Sequence, residues 1–189
     1  VVAIPAGNFL MGSDTGAEDE KPVHHVVLEA FSMSKHEVTV EQYRVFALST
    51  GRPAPQYRDE EGNQPATNVS WDDAIAYTQW LSKKTRRLFR LPTESEWEYS
   101  ARAGTTSEYF TGDSLLNAAN CVGCDDRWGG KSVSPVGSFD PNEFGCCVAG
   151  RGTTTQTTHV PAIVVMKSRL FATVASAFVW FTKGSRALA

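Results

Sequence analysis

Hydrophobic and polar positions change rhythm along the chain. They alternate in short bursts near the start, then fall three times into helical spacing. Residues 1–12, VVAIPAGNFLMG, read as two short strands broken by a turn at Pro5-Ala6-Gly7-Asn8. The stretch Asp14–Pro22 is polar and acidic, the composition of a surface loop. His25–Phe31 alternates as a strand, and Ser32–Val38 continues as extended chain.

Each helix is announced by its start. Thr39 is followed at the third helical position by Gln42, a capping box in which each satisfies a backbone amide of the other's residue. Tyr43, Phe46 and Ala47 then share a face, and Gly51 supplies the stop. Ser70 with Asp73 begins a second helix, whose Ala74, Tyr77, Thr78 and Leu81 share a face. Lys83, Lys84 and Arg86 sit near its C-terminal end, where the helix dipole favours cations. Thr93 with Glu96 caps a third, preceded by Pro92; Trp97 and Ala101 lie one turn apart, and Gly104 ends it.

Between the first two helices, Gly51–Asn68 is rich in Pro, Gly and charge and reads as a long ordered loop. Beyond Gly104 the chain is loop-like, with turns at Thr111-Gly112-Asp113 and Arg127–Lys131 and a short strand expected over Pro135–Ser138. Short strands, well-capped helices and much irregular chain indicate an α+β fold, not alternating βαβ units.

Charge then divides the chain. Residues 1–145 hold all 21 acidic residues and carry a net charge of −8; the last 44 residues hold none and carry +5. No Asn or Tyr follows Gly145. The tail's positive charges are scattered singly, without a basic cluster or interleaved aromatics, so nucleic acid is not an expected partner. The longest apolar run, Leu170–Phe181, is 12 residues, shorter than a membrane span requires. Four cysteines at this length do not mark a disulfide scaffold. The chain opens on Val1, so a start and any targeting peptide are expected upstream, and the compartment stays open.

Arg90–Gly104, RLPTESEWEYSARAG, resembles the signature of the sulfatase-modifying-factor family, which includes the formylglycine-generating enzyme and has a variant of the C-type lectin fold. Four further segments fall in the family's order: Ile4–Ser13 (IPAGNFLMGS), Glu37–Phe46 (EVTVEQYRVF), Pro65–Leu81 (PATNVSWDDAIAYTQWL) and Ser134–Gly145 (SPVGSFDPNEFG). The resemblance covers about three quarters of the chain and implies a C-type-lectin-like α+β domain over 1–145, incomplete at its C-terminus. Fold alone does not carry activity.

After PNEFG the family continues with Leu-Tyr-Asp, a Gly-Asn-Val-Trp-Glu-Trp motif, Leu-Arg-Gly-Gly-Ser-Trp and a closing Gly-Phe-Arg-Leu. This chain instead reads CCVAGRGTTTQTT from Cys146. Back-translated and shifted by one base, that stretch changes meaning. Cys146–Cys147 forces Leu; the next junctions through Thr155 permit Arg-Gly-Gly-Ser-Trp-Asn-Asn-Asn. The same frame over Ala175–Phe181 permits Ile-Gly-Phe-Arg-Leu-Val. Residues 146–189 are therefore expected to be a displaced-frame translation of the family's C-terminal segment, produced by one deletion whose length is not a multiple of three. Such a tail is expected to be poorly ordered, with Val160–Met166 and Leu170–Phe181 collapsing onto the apolar surface left by the lost strands, or aggregating.

The resemblance also frames the candidate chemistry. The formylglycine-generating enzyme uses a cysteine pair shortly after Gly-Gly-Ser to bind copper and let oxygen convert a sulfatase cysteine. The displaced frame reads Asn-Asn-Asn there, so copper belongs only to the oxidase alternative. Cys146 and Cys147 are soft donors for copper(I), but neighbouring cysteines seldom converge on one ion. The family enzyme holds calcium near a similar Ala-Asn segment; Asn120 fits that match, with Asp125 and Asp126 as nearby hard ligands, and surface loop is the other reading. Cys121-Val-Gly-Cys124 is either a loop disulfide, two idle thiols or half a zinc site. Glu94, Glu96 and Glu98 read as capping and solvent-facing groups rather than catalysts, and His24 and His25 as structural or exposed. Three functions stay open: a binding or accessory module for a protein or small ligand, an oxidase acting on a sulfatase or similar protein, and a non-functional product or faulty gene model.

Overall fold

A computed structural model describes residues 1–56, 61–107, 109–112, 114, 118–120, 128 and 132–146, together with the backbone of 159–163, 165–166 and 178–182. In chain order the elements are β1 (Val2–Ile4), β2 (Gly7–Met11), β3 (His24–Leu28), β4 (Phe31–Met33), α1 (Val40–Thr50), α2 (Trp71–Thr85), β5 (Phe89–Arg90), α3 (Glu94–Arg102), β6 (His159–Ile163), β7 (Val165–Met166) and β8 (Phe178–Thr182).

All three helices start where the sequence places them. The hydroxyls of Thr39 and Thr93 accept the amides of Gln42 and Glu96, and both side chains at N3 reach back to the cap amide. Ser70 caps α2 by accepting from the Asp73 amide while its own hydroxyl donates to the Asp73 carboxylate. Gly51 ends α1 in the left-handed region at φ 68°. At α3 the left-handed position falls one residue before the expected glycine, on Ala103 at φ 48°, and Gly104 comes next at φ 87°.

The strands depart from expectation in three places. His25–Phe31 is two strands, because the chain changes sheets after Leu28: β3 pairs with β2 while β4 pairs with β1. Phe89–Arg90 forms a strand that no local pattern announces. Pro135–Ser138 is a turn, with Ser138 bonded back to Pro135 and Gly137 at φ 75°. Val136 makes a lone bond to Asn63 (2.9 Å) instead of entering a ladder.

The main sheet has the order β1-β4-β7-β5; β2–β3 and β6–β8 are separate antiparallel ribbons. Two apolar clusters flank this framework. One joins α1 and α2 through Val38, Tyr43, Phe46, Ala66, Val69, Ala74 and Tyr77. Its rings interlock: Phe46 packs edge-on to both Tyr43 and Tyr77, which stack on each other. Burial pushes the Tyr43 phenol up to about 12, with the Asp73 charge adding to the effect. The other cluster joins the sheet to α3 through Ile4, Phe31, Met33, Tyr99 and Cys146. Gly7 lies so close to Tyr99 that a β-carbon there would collide with the phenol, which is why the β2–β3 ribbon can rest on α3.

Candidate functional site

The densest group of charged side chains surrounds α3. Arg90, at the end of β5, forms a bidentate pair with Glu96, at 2.7 and 2.6 Å. The same carboxylate accepts the Thr93 amide at 2.8 Å, so one side chain closes the capping box and anchors the strand. Burial alone would raise the Glu96 carboxyl, but Arg90 and the Thr93 donors outweigh it and hold it below the ordinary carboxylate value. Two residues on, buried Glu98 receives Arg102 at 2.9 and 2.7 Å and the Gly12 amide at 3.0 Å. Arg102 also donates to the Gly12 carbonyl at 3.1 Å. Together Glu98 and Arg102 bind both backbone groups of Gly12 and fix the end of β2 to the helix.

Glu96 and Glu98 are thus buried and paired, not solvent-facing; Glu94 alone of the three is exposed. The sequence marked Glu96 by its capping position but held no sign of Arg90 as its partner. The spacing of Glu98 and Arg102, four apart on one helix face, was a legible signal for that pair. Glu96 and Glu98 both spend their carboxylate oxygens on guanidinium and backbone amide donors, so the group as it stands holds backbone in place.

The chain leaves α3's neighbourhood through a second buried device. Asn142 donates to the Ser100 carbonyl at 2.7 Å and accepts the amides of Phe144 and Cys146, each at 3.1 Å. Cys146 is thereby drawn into the core, 1% exposed, with its sulfur 4.0 Å from the Met33 sulfur. Cys146, one residue past the charge boundary, is thus part of the core. A thiol enclosed among Ile4, Phe31, Met33 and Tyr99 has no opening to a substrate, so Cys146 does not fit a catalytic copper site. The indole Nε1 of Trp97, packed against the same cluster, is buried and meets no hydrogen-bond acceptor among the described residues.

Of the sequence-predicted site residues, Asn120 is described: its side-chain amide donates to the Ser132 carbonyl at 2.8 Å, beside the fully buried Ala119. Cys121, Cys124, Asp125, Asp126 and Cys147 lie outside the described residues. His24 and His25 are exposed; one ring nitrogen of His24 meets the Pro22 carbonyl and one of His25 meets Asn8. Among the described residues no group of three His, Cys, Asp or Glu side chains could hold a metal ion.

The model of the sulfatase-modifying factor enzyme 1-like domain matches residues 1–150. The chain belongs to this family. It is 28% identical over 211 aligned positions to the formylglycine-generating enzyme of Mycobacterium tuberculosis, a match covering 77% of this chain and 69% of that enzyme. It is 30% identical to the serine/threonine-protein kinase pkn1 of Chlamydia caviae over 77% of this chain, but the match spans 25% of the kinase. Among solved structures, PvdO from Pseudomonas aeruginosa superposes with a TM-score of 0.66 at 32% identity, over 76% of this chain and 64% of PvdO. The Treponema denticola variable protein 1 shares the fold at a TM-score of 0.62 and 23% identity, over 77% of this chain and 67% of that protein. These neighbours show that the chain has an α+β fold of the PvdO type. No helix among the described residues is long and apolar enough to cross a membrane.

Proposed function

We propose that this family member derives from a non-catalytic binding or accessory module, and that the present chain lacks the C-terminal segment which gave the module its ligand face. The carrying observation is the displaced frame. It permits Leu-Arg-Gly-Gly-Ser-Trp and Ile-Gly-Phe-Arg-Leu-Val in the order the resembled family has them, with Asn-Asn-Asn where the oxidase has its cysteines. The family match ending at residue 150, close to the charge boundary, supports this reading. Asparagines offer paired donors and acceptors without redox chemistry, the equipment of recognition rather than of oxidation.

The second reading, a formylglycine-generating oxidase, rests on the kinship to enzymes of that name. An oxygen-uptake assay with copper and a cysteine-containing sulfatase peptide separates the two. Neither the chain as it stands nor a frame-restored version should consume oxygen or yield formylglycine; turnover by either would overturn the module reading. The third, a product without activity, applies to the chain as written. The displaced frame itself is tested by the encoding DNA, where stop codons throughout that frame would defeat it. Calcium at the Asn120 loop, with Asp125 and Asp126, belongs to the same proposal. A calcium-dependent rise in melting temperature, abolished by Asn120→Ala, is the expected result.

A further inference from the structure

One stretch of the acidic body reverses its charge. Between Asp73 and Glu94 lie 20 residues with no acidic side chain and five cations: Lys83, Lys84, Arg86, Arg87 and Arg90. The remainder of residues 1–145 carries −13. Arg90 is committed to Glu96, and Arg87 is half-buried. Lys83, Lys84 and Arg86 are exposed, and among the described residues no ion pair engages them.

The needs of the fold account for part of this. The dipole of α2 favours cations in its last turn, which covers Lys83 and Lys84. It does not call for Arg86 at the cap. There the backbone is left-handed, at φ 56°, a conformation that glycine takes without strain and arginine does not. Nor does it call for Leu88, which is 56% exposed beside the buried Phe89. The connection that carries these side chains is held in shape at both ends. The Ser82 hydroxyl accepts the Phe89 amide at 2.8 Å, tying β5 back to α2. The Lys84 ammonium sits over the half-buried Trp80 ring, 4.8 Å from its centroid. A surface fixed in advance loses little freedom when it binds.

We propose that Lys83, Lys84, Arg86 and Leu88 form a docking surface for an acidic peptide segment of a partner protein, one that carries an apolar residue among its carboxylates. Arginine takes a carboxylate through two parallel N–H bonds, the lysines add point charge, and Leu88 offers the apolar residue a contact. A short segment suits the size of the patch. Charges are screened over about 8 Å at physiological salt, so a few carboxylates can meet these cations apart from the rest of the body. A bilayer or a nucleic-acid duplex is broader and would face the surrounding −13 as well. The surface lies within residues 80–89 and is independent of the displaced frame.

The test is fluorescence anisotropy of a labelled Glu-Asp-Glu-Phe-Glu-Asp-Glu peptide titrated with the full chain. Saturable binding that weakens as salt is added is expected, and none to the same peptide with Gln and Asn in place of Glu and Asp. Lys83→Glu should weaken binding about tenfold, and Lys21→Glu, the same change of net charge outside the patch, less than about twofold. Arg86→Gly should weaken binding about tenfold while the melting temperature holds or rises, since the left-handed cap is relieved of strain. Leu88→Ser should cost about threefold. The proposal is overturned if no saturable binding occurs, if Lys21→Glu and Lys83→Glu weaken it equally, or if Leu88→Ser binds as tightly as the unsubstituted chain. It is also overturned if phosphatidylserine vesicles or duplex DNA displace the labelled peptide more effectively than its unlabelled copy does, for the patch would then serve another class of partner.

Discussion

The two apolar clusters are held together in different ways. The α1–α2 cluster draws every buried member from residues 38–77, and its helices carry their own caps and stops. The sheet–α3 cluster gathers Ile4, Phe31, Met33, Tyr99 and Cys146 from across the chain, and among the described residues Val165 and Met166 of the tail bridge its sheet. The first is built from near neighbours in sequence, within one helix pair and its connecting loop. The second depends on long loop closures and on residues C-terminal to Gly145. The second should therefore open more readily than the first, so that the molecule unfolds in parts rather than all at once.

The largest expected effects come from removing one member of each cluster's centre. Phe46→Ala empties the middle of the interlocked rings and should cost about 3–5 kcal/mol. Glu98→Ala leaves the Arg102 guanidinium buried without its carboxylate and releases Gly12, also about 3–5 kcal/mol. Denaturant melts and then hydrogen exchange would compare them. Phe46→Ala should speed exchange in α1 and α2, Glu98→Ala in β2, β3 and α3. Identical exchange patterns in the two variants would show that the clusters are one cooperative unit.

Next is the junction. Asn142→Ala orphans the Ser100 carbonyl and the Phe144 and Cys146 amides, at about 1–3 kcal/mol. It should also advance proteolysis near residue 146 without changing α1 protection. Limited proteolysis of the unsubstituted chain is expected to release a fragment ending near residue 145; uniform resistance would count against a foreign tail.

The same contrast explains what the sequence could reveal. Thr39, Ser70 and Thr93 are caps whose partners lie three residues away, so the three helix starts were readable from local sequence. The split between β3 and β4, the two-residue β5 and the turn at Val136 are all decided by distant partners: β2, β1, β7 and Asn63. Local alternation cannot report which ribbon a strand joins. In the α3 group, Glu98–Arg102 was visible as an i,i+4 pair, whereas Arg90–Glu96 crosses from strand to helix and had no local signature. Burial of Glu96 and Glu98 is likewise a tertiary outcome, since polar residues on a short helix ordinarily face water. In the tail, apolar composition suggested collapse of Val160–Met166 onto the body, and the place where Val165–Met166 enters the sheet is the gap between β4 and β5.

A smaller test asks whether capping energy differs between the halves. Thr39→Ala and Thr93→Ala each remove one capping hydroxyl and should each cost about 1 kcal/mol by denaturant titration. Thr93 should cost no less than Thr39, because its box partner Glu96 is also the anchor for Arg90.

The smallest effect is the most specific to the sheet half. Glu96 is held below its ordinary value in the folded chain, so its contribution is complete above the unfolded carboxyl value and is lost as pH falls through the folded one. Arg90 stays charged throughout, because its bond to Glu96 raises a value already far above neutral. Acidification thus acts on the carboxylate alone, breaking the bidentate pair and half of the α3 capping box together. Glu96→Gln keeps an oxygen for the Thr93 amide but cannot ionise, so its melting temperature should fall less steeply than that of the unsubstituted chain as pH is lowered from about 5 to about 3. Hydrogen exchange at low pH should then place the acid-induced opening in α3 and β5, leaving α1 and α2 protected. Equal acid sensitivity of the two chains would mean that some other carboxylate governs the transition, and that the α3 anchor is not where the sheet half gives way.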